Sequence, residues 1–425
     1  MANWEVDKFG GASVKDAKRL MNVAFLMEKF PSAQRMVVVS AMGKTTNALE
    51  DVLKTFLDGD DHYLELFEQI RQYHLMVAEQ LFQKNDTVFH KIHALFDQTM
   101  SFMQHVPVNH HDYIYDQVVV LGELVSSRIL SDFLNARGVH NQWLDARRII
   151  TTNNDYRSAK VDLRLSKENL QKALEKYSYS CFVTQGFIGA SEEGISTTLG
   201  REGSDYSAAL FANMLDANKL TFWKDVDGIW SKDPNIFKDA VQLSEVSFRE
   251  AVEFTYYGAK ILHSKTIQPL ANLDIELHVR SFMAPEKTGS KIVHKKENAE
   301  EATINVMEAQ TDGIVATQLE TKDYSYISLG SLIEVLEQFD KLGINILQVS
   351  RSATTLTIVH QNIKGLSKQH WMGNILEGHN LYQSELGHLA SQINTQNISG
   401  KLLPFANFDV QYAGGSIKFQ QEVKF

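Results

Sequence analysis

Hydrophobic and polar positions along the first 290 or so residues fall into two alternating periods. Uninterrupted apolar runs, Met36-Val-Val-Val-Ser-Ala-Met and Cys181-Phe-Val-Thr-Gln-Gly-Phe-Ile-Gly, read as strands buried on both faces, as a covered parallel sheet requires. Trp4 to Phe9, Val139 to Leu144 and Lys219 to Lys224 read as further strands. Between them lie segments of helical period: about Asp16 to Phe30, a largely helical block from 48 to 134, a helix running on from Ser207, and one near Ser247 to Phe254. Within the long block Val88, Ile92, Leu95, Phe96, Thr99 and Met103 fall on one face, with charged and amide residues elsewhere. Buried strands alternating with helices predict a doubly wound α/β domain. A charged stretch at 295–300 marks a boundary, placing one domain at 1–294 and a second region at 301–425. In the second region a strand is expected at Tyr324 to Leu329, a helix at Leu332 to Leu342, and strands at Ile344 to Val349 and Thr355 to His360. Beyond Asn362 the pattern is weak: a helix at Glu385 to Ile393 and strands at Phe408 to Tyr412 and Ser416 to Val423.

Composition narrows the class without naming the chemistry. A chain of 425 residues is too long for one hydrophobic core. With 44% hydrophobic and 22% charged residues it has the balance of a soluble globular enzyme. A net charge of −10 argues against a broad nucleic-acid surface while permitting local basic pockets. Cys181 is the single cysteine, so no intrachain disulfide forms and a reducing compartment suits the chain. The segment MANWEVDKFGG has no apolar core of a signal peptide, and no apolar run approaches membrane-spanning length. The expectation is a cytoplasmic protein with neither nucleic-acid nor membrane partners.

The candidate chemistry centres on Thr197 to Ala209, TTLGREGSDYSAA. Gly200 and Gly203 allow close backbone approach, Ser204 and Asp205 read as N-cap residues, and the alanine-rich run behind them reads as a helix. A helix opening behind a glycine turn suits an anion, and the Arg201 fork can grip a carboxylate or phosphate. Near the N-terminus Lys8 precedes Gly10 and Gly11 at a strand–turn–helix junction, a place for a phosphate. Gly43-Lys-Thr-Thr invites a P-loop reading that fails, because Val38 stands where the motif needs glycine. What remains are Ser40, Thr45 and Thr46, hydroxyls at the C-terminal edge of a parallel strand, where α/β sheets bind ligands. Glu123 follows Gly122 in an apolar context, where it is either a buried acid holding an amino group or an exposed helix-face glutamate. His110-His111-Asp112 lacks metal-ligand spacing and reads as a loop.

Taken together and in order, KFGGASV, SAMGKTTNAL, GELVSS, TTLGREGSDYSAA, WKDVDGIWSKDPN and FTYYGAKILHSKTIQPL resemble aspartate kinase, of the amino-acid kinase superfamily, over roughly residues 4–294. The resemblance implies an open α/β/α sandwich using ATP and Mg²⁺ to phosphorylate the β-carboxylate of L-aspartate, the first step toward lysine, threonine and methionine. It implies that Lys8, Gly10 and Gly11 sit at the phosphates and that Thr45, Glu123, Arg201 and Ser204 sit at the aspartate. Asp205 would lie between the catalytic groups Lys8 and Lys260, holding the lysines in place. Lys224, Asp225, Trp230, Asn235 and Lys260 would fall at nucleotide positions, with no side chain assigned to the metal.

Some positions depart from the family's pattern: Ala12, Lys224 and Ser264, Glu202 in place of a glycine, Trp230 for tyrosine and Asn235 for arginine. They point to altered nucleotide affinity rather than lost activity. The β-α-β-β order after 324 resembles the first part of an ACT ligand-sensing unit, with Gly330 and Ser331 before its helix, while a second unit is degenerate. That implies an amino-acid effector, lysine or threonine, and a homodimer. The alternatives are a kinase for another amino-acid carboxylate, such as glutamate, and a non-catalytic amino-acid-binding regulator that keeps the fold.

Overall fold

The computed structural model describes residues 3–232, 234, 237–256, 262, 264–294, 314–321, 324–341, 344–361, 381–383, 408–413 and 416–421. The chain divides into two compact units, Met1–Val246 with Lys265–His294, and Ser247–Ser264 with Lys295–Phe425.

The first unit is built on an eight-stranded sheet. Its strands are β1 (Trp4–Phe9), β2 (Gln34–Val39), β3 (Gln142–Trp143), β4 (Cys181–Gln185), β5 (Lys219–Lys224), β6 (Glu245–Ser247), β7 (Glu276–Ser281) and β8 (Ser290–Val293), in the order β6-β8-β7-β5-β1-β2-β4-β3. Every pairing from β7 across to β3 is parallel, and β8 returns antiparallel on β7. Met36, Val37, Val38 and Val39 are all fully buried, so both faces of β2 are covered, as its unbroken apolar run requires. The arrangement is an open, parallel-dominated α/β sandwich with β1 at its centre. The expected strand over Val139 to Leu144 forms only at Gln142–Trp143, the edge of the sheet.

Helices α1 (Ala17–Lys29), α2 (Thr45–Leu57), α3 (Tyr63–Glu79), α4 (Thr87–His105), α5 (His111–Ala136), α6 (Leu163–Glu175), α7 (Gly203–Met214) and α8 (Ser264–Ala271) accompany this sheet. Asp16 caps α1, its carboxylate accepting the Arg19 N–H at 2.8 Å. Val88, Ile92, Phe96 and Met103 of α4 are buried and Leu95 and Thr99 half-buried, on the face the periodicity marks. His74 is fully buried in the same helical layer, with Nδ1 2.8 Å from the Ile70 carbonyl oxygen, and serves as packing. His110-His111-Asp112 is not a loop: His111 opens α5 and Asp112 lies in its first turn, because the apolar run from Ile114 draws the helix back to that point. α5 is the longest helix described, and from Val118 to Ser127 it is buried all round. A three-stranded sheet, Thr151–Thr152, Ile188–Ser191 and Ser196–Thr198, leads the chain into α7.

In the second unit a helix at Leu329–Lys341 lies with a four-stranded sheet ordered Ile346–Arg351, Thr355–Gln361, Ile314–Thr321, Leu381–Gln383. Leu319, Val335, Phe339, Leu356 and Ile358 form its core. The β-α-β-β order stands, but the first strand is Ile314–Thr321 rather than Tyr324 to Leu329. Residues 324–328 are irregular, with Ile327 folded into the core as a single anchor. Gly330 and Ser331 lie inside the helix rather than ahead of it. The helix Phe248–Tyr256 belongs to this unit, and its buried Glu253 accepts hydrogen bonds from Ser352 Oγ at 2.8 Å and Thr354 Oγ1 at 3.1 Å. Phe408–Ala413 and Ser416–Gln421 pair as an antiparallel hairpin. The helix expected at Glu385 to Ile393 and the charged stretch at 295–300 lie outside the described residues.

Candidate active site

The C-terminal ends of β1 and β2, the start of α7 and the middle of α5 surround a cleft of about 520 Å³. Lys8, Gly11, Ser40, Glu123, Arg201, Ser204 and Asp205 are among its lining residues, so most of the substrate-side positions read from the sequence converge on one space. The convergence follows from the parallel sheet, which delivers every strand end to the same edge.

Lys8 is the last residue but one of β1, paired with Val38 and Phe222 on either side, and its side chain is buried. Its Nζ lies 2.5 Å from Asp205 Oδ1, and Lys224 at the end of β5 places its Nζ 3.6 Å from Asp205 Oδ2. Burial pushes the Asp205 carboxyl up, but the two ammonium groups together outweigh it and hold the group below its usual range. Asp205 is therefore an anchor for lysines, not a proton acceptor at neutral pH. Gly11 brings the loop after β1 against the loop after β2. A Cβ there would stand 2.7 Å from the Gly43 carbonyl oxygen and 2.9 Å from that of Ala41, contacts no side chain can make.

Glu123 is buried, which decides between the two readings of its sequence context. Gly122 is the reason α5 comes so close: a Cβ there would meet the Ala41 side chain at 2.9 Å. Glu123 Oε1 accepts the Ala41 N–H at 3.3 Å, while Oε2 has no hydrogen-bond partner among the described residues. Burial raises its pKa to about 8, the backbone N–H groups of Ala41 and of Glu123 itself only partly opposing it. Among the described residues this buried acid has no cation beside it to keep it ionised.

The α7 entrance differs from the expected cap. Ser204 and Asp205 are in the first turn, and the capping position is Glu202, in the left-handed region at φ 55 without a side-chain capping bond. Asp205 is drawn away from capping by its lysines. Thr45, the first residue of α2, is buried with its hydroxyl donating to the Met42 carbonyl at 2.7 Å, and its neighbour Thr46 is the one lining the cleft. Gly10 adjoins the Lys8 side chain: a Cβ there would lie 3.4 Å from Nζ. Asp225 is exposed after β5, and Trp230 sits half-buried in a short strand paired with Gln242; neither lines the cleft. Asn235 and Lys260 lie outside the described residues.

The sequence reading missed Asp116, Tyr115 and Arg157. Asp116 is fully buried and ties three segments together. Its Oδ1 accepts the Thr198 hydroxyl at 2.7 Å, its Oδ2 accepts the Thr198 N–H at 2.9 Å, and the Arg157 N–H lies 3.1 and 3.0 Å from the two oxygens. Burial raises its pKa to about 6 against the pull of these donors. Asp112, Asp116 and Glu123 stand at i, i+4 and i+11 and so share one stripe of α5, a spacing that was readable in the sequence. Tyr115 and Arg157 both line the cleft.

The parallel strand edge carries the buried Lys8 against Asp205 at the mouth of a cleft, and residues 3–281 match the amino acid kinase family. The chain belongs to that family. Within it the chain is similar to aspartokinases. It is 29% identical over 359 residues to the chloroplastic bifunctional aspartokinase/homoserine dehydrogenase 1 of Zea mays, covering 83% of this chain and 39% of that protein. It is 32% identical over 299 residues to lysine-sensitive aspartokinase 3 of Escherichia coli, covering 70% of this chain and 66% of that protein. The crystal structure of E. coli aspartokinase III in complex with aspartate and ADP matches at a TM-score of 0.65 and 26% identity, over 90% of this chain and 86% of that one. The chain spans 33% to 44% of the length of the bifunctional plant relatives it matches.

Proposed function

We propose that this chain transfers the γ-phosphoryl group of ATP to the β-carboxylate of L-aspartate, giving 4-phospho-L-aspartate and ADP. The observation that carries the reading is a buried, cation-seeking Glu123 lining the same cleft as Lys8 and Arg201. An amino acid with a second carboxylate satisfies all three: its ammonium meets Glu123, one carboxylate meets the exposed Arg201, and the other comes up beside Lys8. The β-carboxylate is already ionised at neutral pH and needs no general base. Its oxygen forms a bond to the γ-phosphorus as the bond to the bridging oxygen breaks, and ADP leaves. The protein's part is alignment and neutralisation of charge on the transferred group. Lys8 is poised for the second task, with Asp205 fixing its position; Lys260 and Asn235 are assigned to the phosphates and the nucleotide by resemblance alone.

Among the described residues no three metal-ligating side chains converge. Magnesium would enter with the ATP phosphates, to which it would lend charge neutralisation. Among the described residues no helix is long and apolar enough to cross a membrane, and the one cysteine is buried with its pKa pushed up to about 12. A reducing, cytoplasm-like compartment fits that chemistry. An ACT-like second unit and a lysine-sensitive relative support lysine as effector and a homodimer as the assembly. The test is ADP release with and without L-aspartate, alongside glutamate and an N-acylated aspartate. Turnover with L-aspartate, and much less with glutamate or the N-acylated aspartate offered in its place, is expected; ADP release indifferent to aspartate would end this reading. Titration with lysine and with threonine, read beside sedimentation velocity, tests the effector and the dimer.

A further inference from the structure

Arg157 stands on the rim of the cleft in an unusual backbone state. Its φ is 65, in the left-handed region that disfavours side chains with a Cβ, and it is held there by the Arg157 N–H bonding to both oxygens of the buried Asp116 carboxylate. The side chain lines the cleft, with its guanidinium 4.2 Å from the centre of the Tyr115 ring and Nη1 3.3 Å from Asp112 Oδ1. Both ends of that ion pair are more than half exposed, so it adds little to stability and does not offset the strained backbone. Stability therefore gives no reason for an arginine here. The charge of the cleft does.

Among the described residues three cations line the cleft: Lys8, Arg157 and Arg201. Against them stand Asp205 and Glu202, while Glu123, with its pKa near 8, is mostly neutral when no cation faces it. Take Arg157 away and cations and ionised carboxylates balance, leaving a neutral mouth for an anionic amino acid. Glu202 is itself exposed, on the rim and at φ 55. Both rim residues thus hold a charged side chain on a backbone suited to glycine.

We propose that Arg157 is a substrate-selecting residue, a second guanidinium for the carboxylates of the incoming amino acid that offsets the charge of Glu202. The inference rests on the aspartate reading of the cleft. The Tyr115 ring keeps the guanidinium plane extended over the opening, and Asp112 supplies a single, water-exposed contact that a substrate carboxylate can replace.

Arg157→Gly removes the charge and relaxes the backbone, so loss of fold does not confound it. Its aspartate KM should rise about tenfold, with the ATP KM and kcat changed by less than about twofold. Arg157→Lys should recover most of the affinity. Arg157→Gly combined with Glu202→Gly should bring the aspartate KM partway back, to about fivefold above that of the unmodified protein. An aspartate KM in Arg157→Gly within twofold of the unmodified protein overturns the proposal, as does a lysine variant no better than glycine. An unmodified protein with no aspartate-dependent turnover removes the substrate reading and this inference together, a result distinct from normal turnover with an unmoved KM.

Discussion

Two buried aspartates beside neighbouring residues of β1 answer the same problem in opposite ways. Asp7 pairs with Arg35 of β2, Nε to Oδ2 at 3.0 Å, and accepts the Trp223 indole N–H at 2.7 Å. Asp205 faces Lys8 and Lys224. Burial raises the pKa of Asp7 further than Arg35 and Trp223 lower it, whereas two lysines carry Asp205 below its usual value. Arg35 is meanwhile tied to the Met27 and Phe30 carbonyls, so the Asp7 cluster is closed and complete within the protein. Asp205 instead lines a cleft together with Lys8, and Lys224 faces its second oxygen. A buried ion pair that lines a cleft marks a place for a ligand from outside, and one enclosed by its own partners marks a place built for the fold.

The largest effect should come from removing the lysine that lines the cleft. Lys8→Met should lower kcat by about 10³ in ADP release, the loss expected of a group that stabilises transferring charge. Next in size, Asp7→Asn strands Arg35 in the interior and should destabilise the first unit by about 3–5 kcal/mol in denaturant unfolding. Turnover per folded molecule should stay near normal, and the double change Asp7→Met with Arg35→Met should recover much of the stability. A kcat loss in Asp7→Asn comparable to that in Lys8→Met would erase the distinction between the two clusters.

A finer separation uses pH. A carboxyl raised by folding binds its proton more tightly in the native state, so its contribution to stability falls as pH rises from its unfolded pKa toward its folded one. Asp7 behaves this way, and Asp205, being depressed, contributes stability that is lost as pH falls. Carboxyl NMR titration should accordingly find Asp7 protonated at a higher pH than Asp205. Glu123 behaves like Asp7, in a window between its ordinary value of 4.5 and about 8. Glu123→Gln should therefore unfold later than the unmodified protein at pH 8, with the difference gone by pH 4.5. When an ammonium arrives, Glu123 ionises, so binding of aspartate at pH 7 should release close to one proton. Calorimetry in buffers of different ionisation enthalpy measures this. The smallest effect belongs to Glu202→Gly, a fall of about twofold in the aspartate KM.

What could be read from the sequence divides along a physical line. The strands of the sheet were legible because both-face burial writes an unbroken apolar run, and the burial of Glu123 was half legible from its apolar neighbours. Lys8 and Asp205 could be brought to one site because parallel strands end at one edge. Asp116 could not be tied to Thr198 and Arg157, since contacts 82 and 41 residues away leave no local periodicity. The left-handed backbone at Glu202 was hidden as well, because Ser204 and Asp205 are better caps by residue type and are outbid only by the lysines in space. The Thr45 hydroxyl turned inward for the same kind of reason: it found the Met42 carbonyl one turn back.

α5 carries Tyr115 at the rim and Glu123 at the proposed ammonium position, eight residues apart. At a helical rise that spacing is about 12 Å, fixed by hydrogen bonds along a rod that does not stretch. The cleft thus has a gauge built into one wall. A shift of this helix would move both marks together and leave that spacing unchanged.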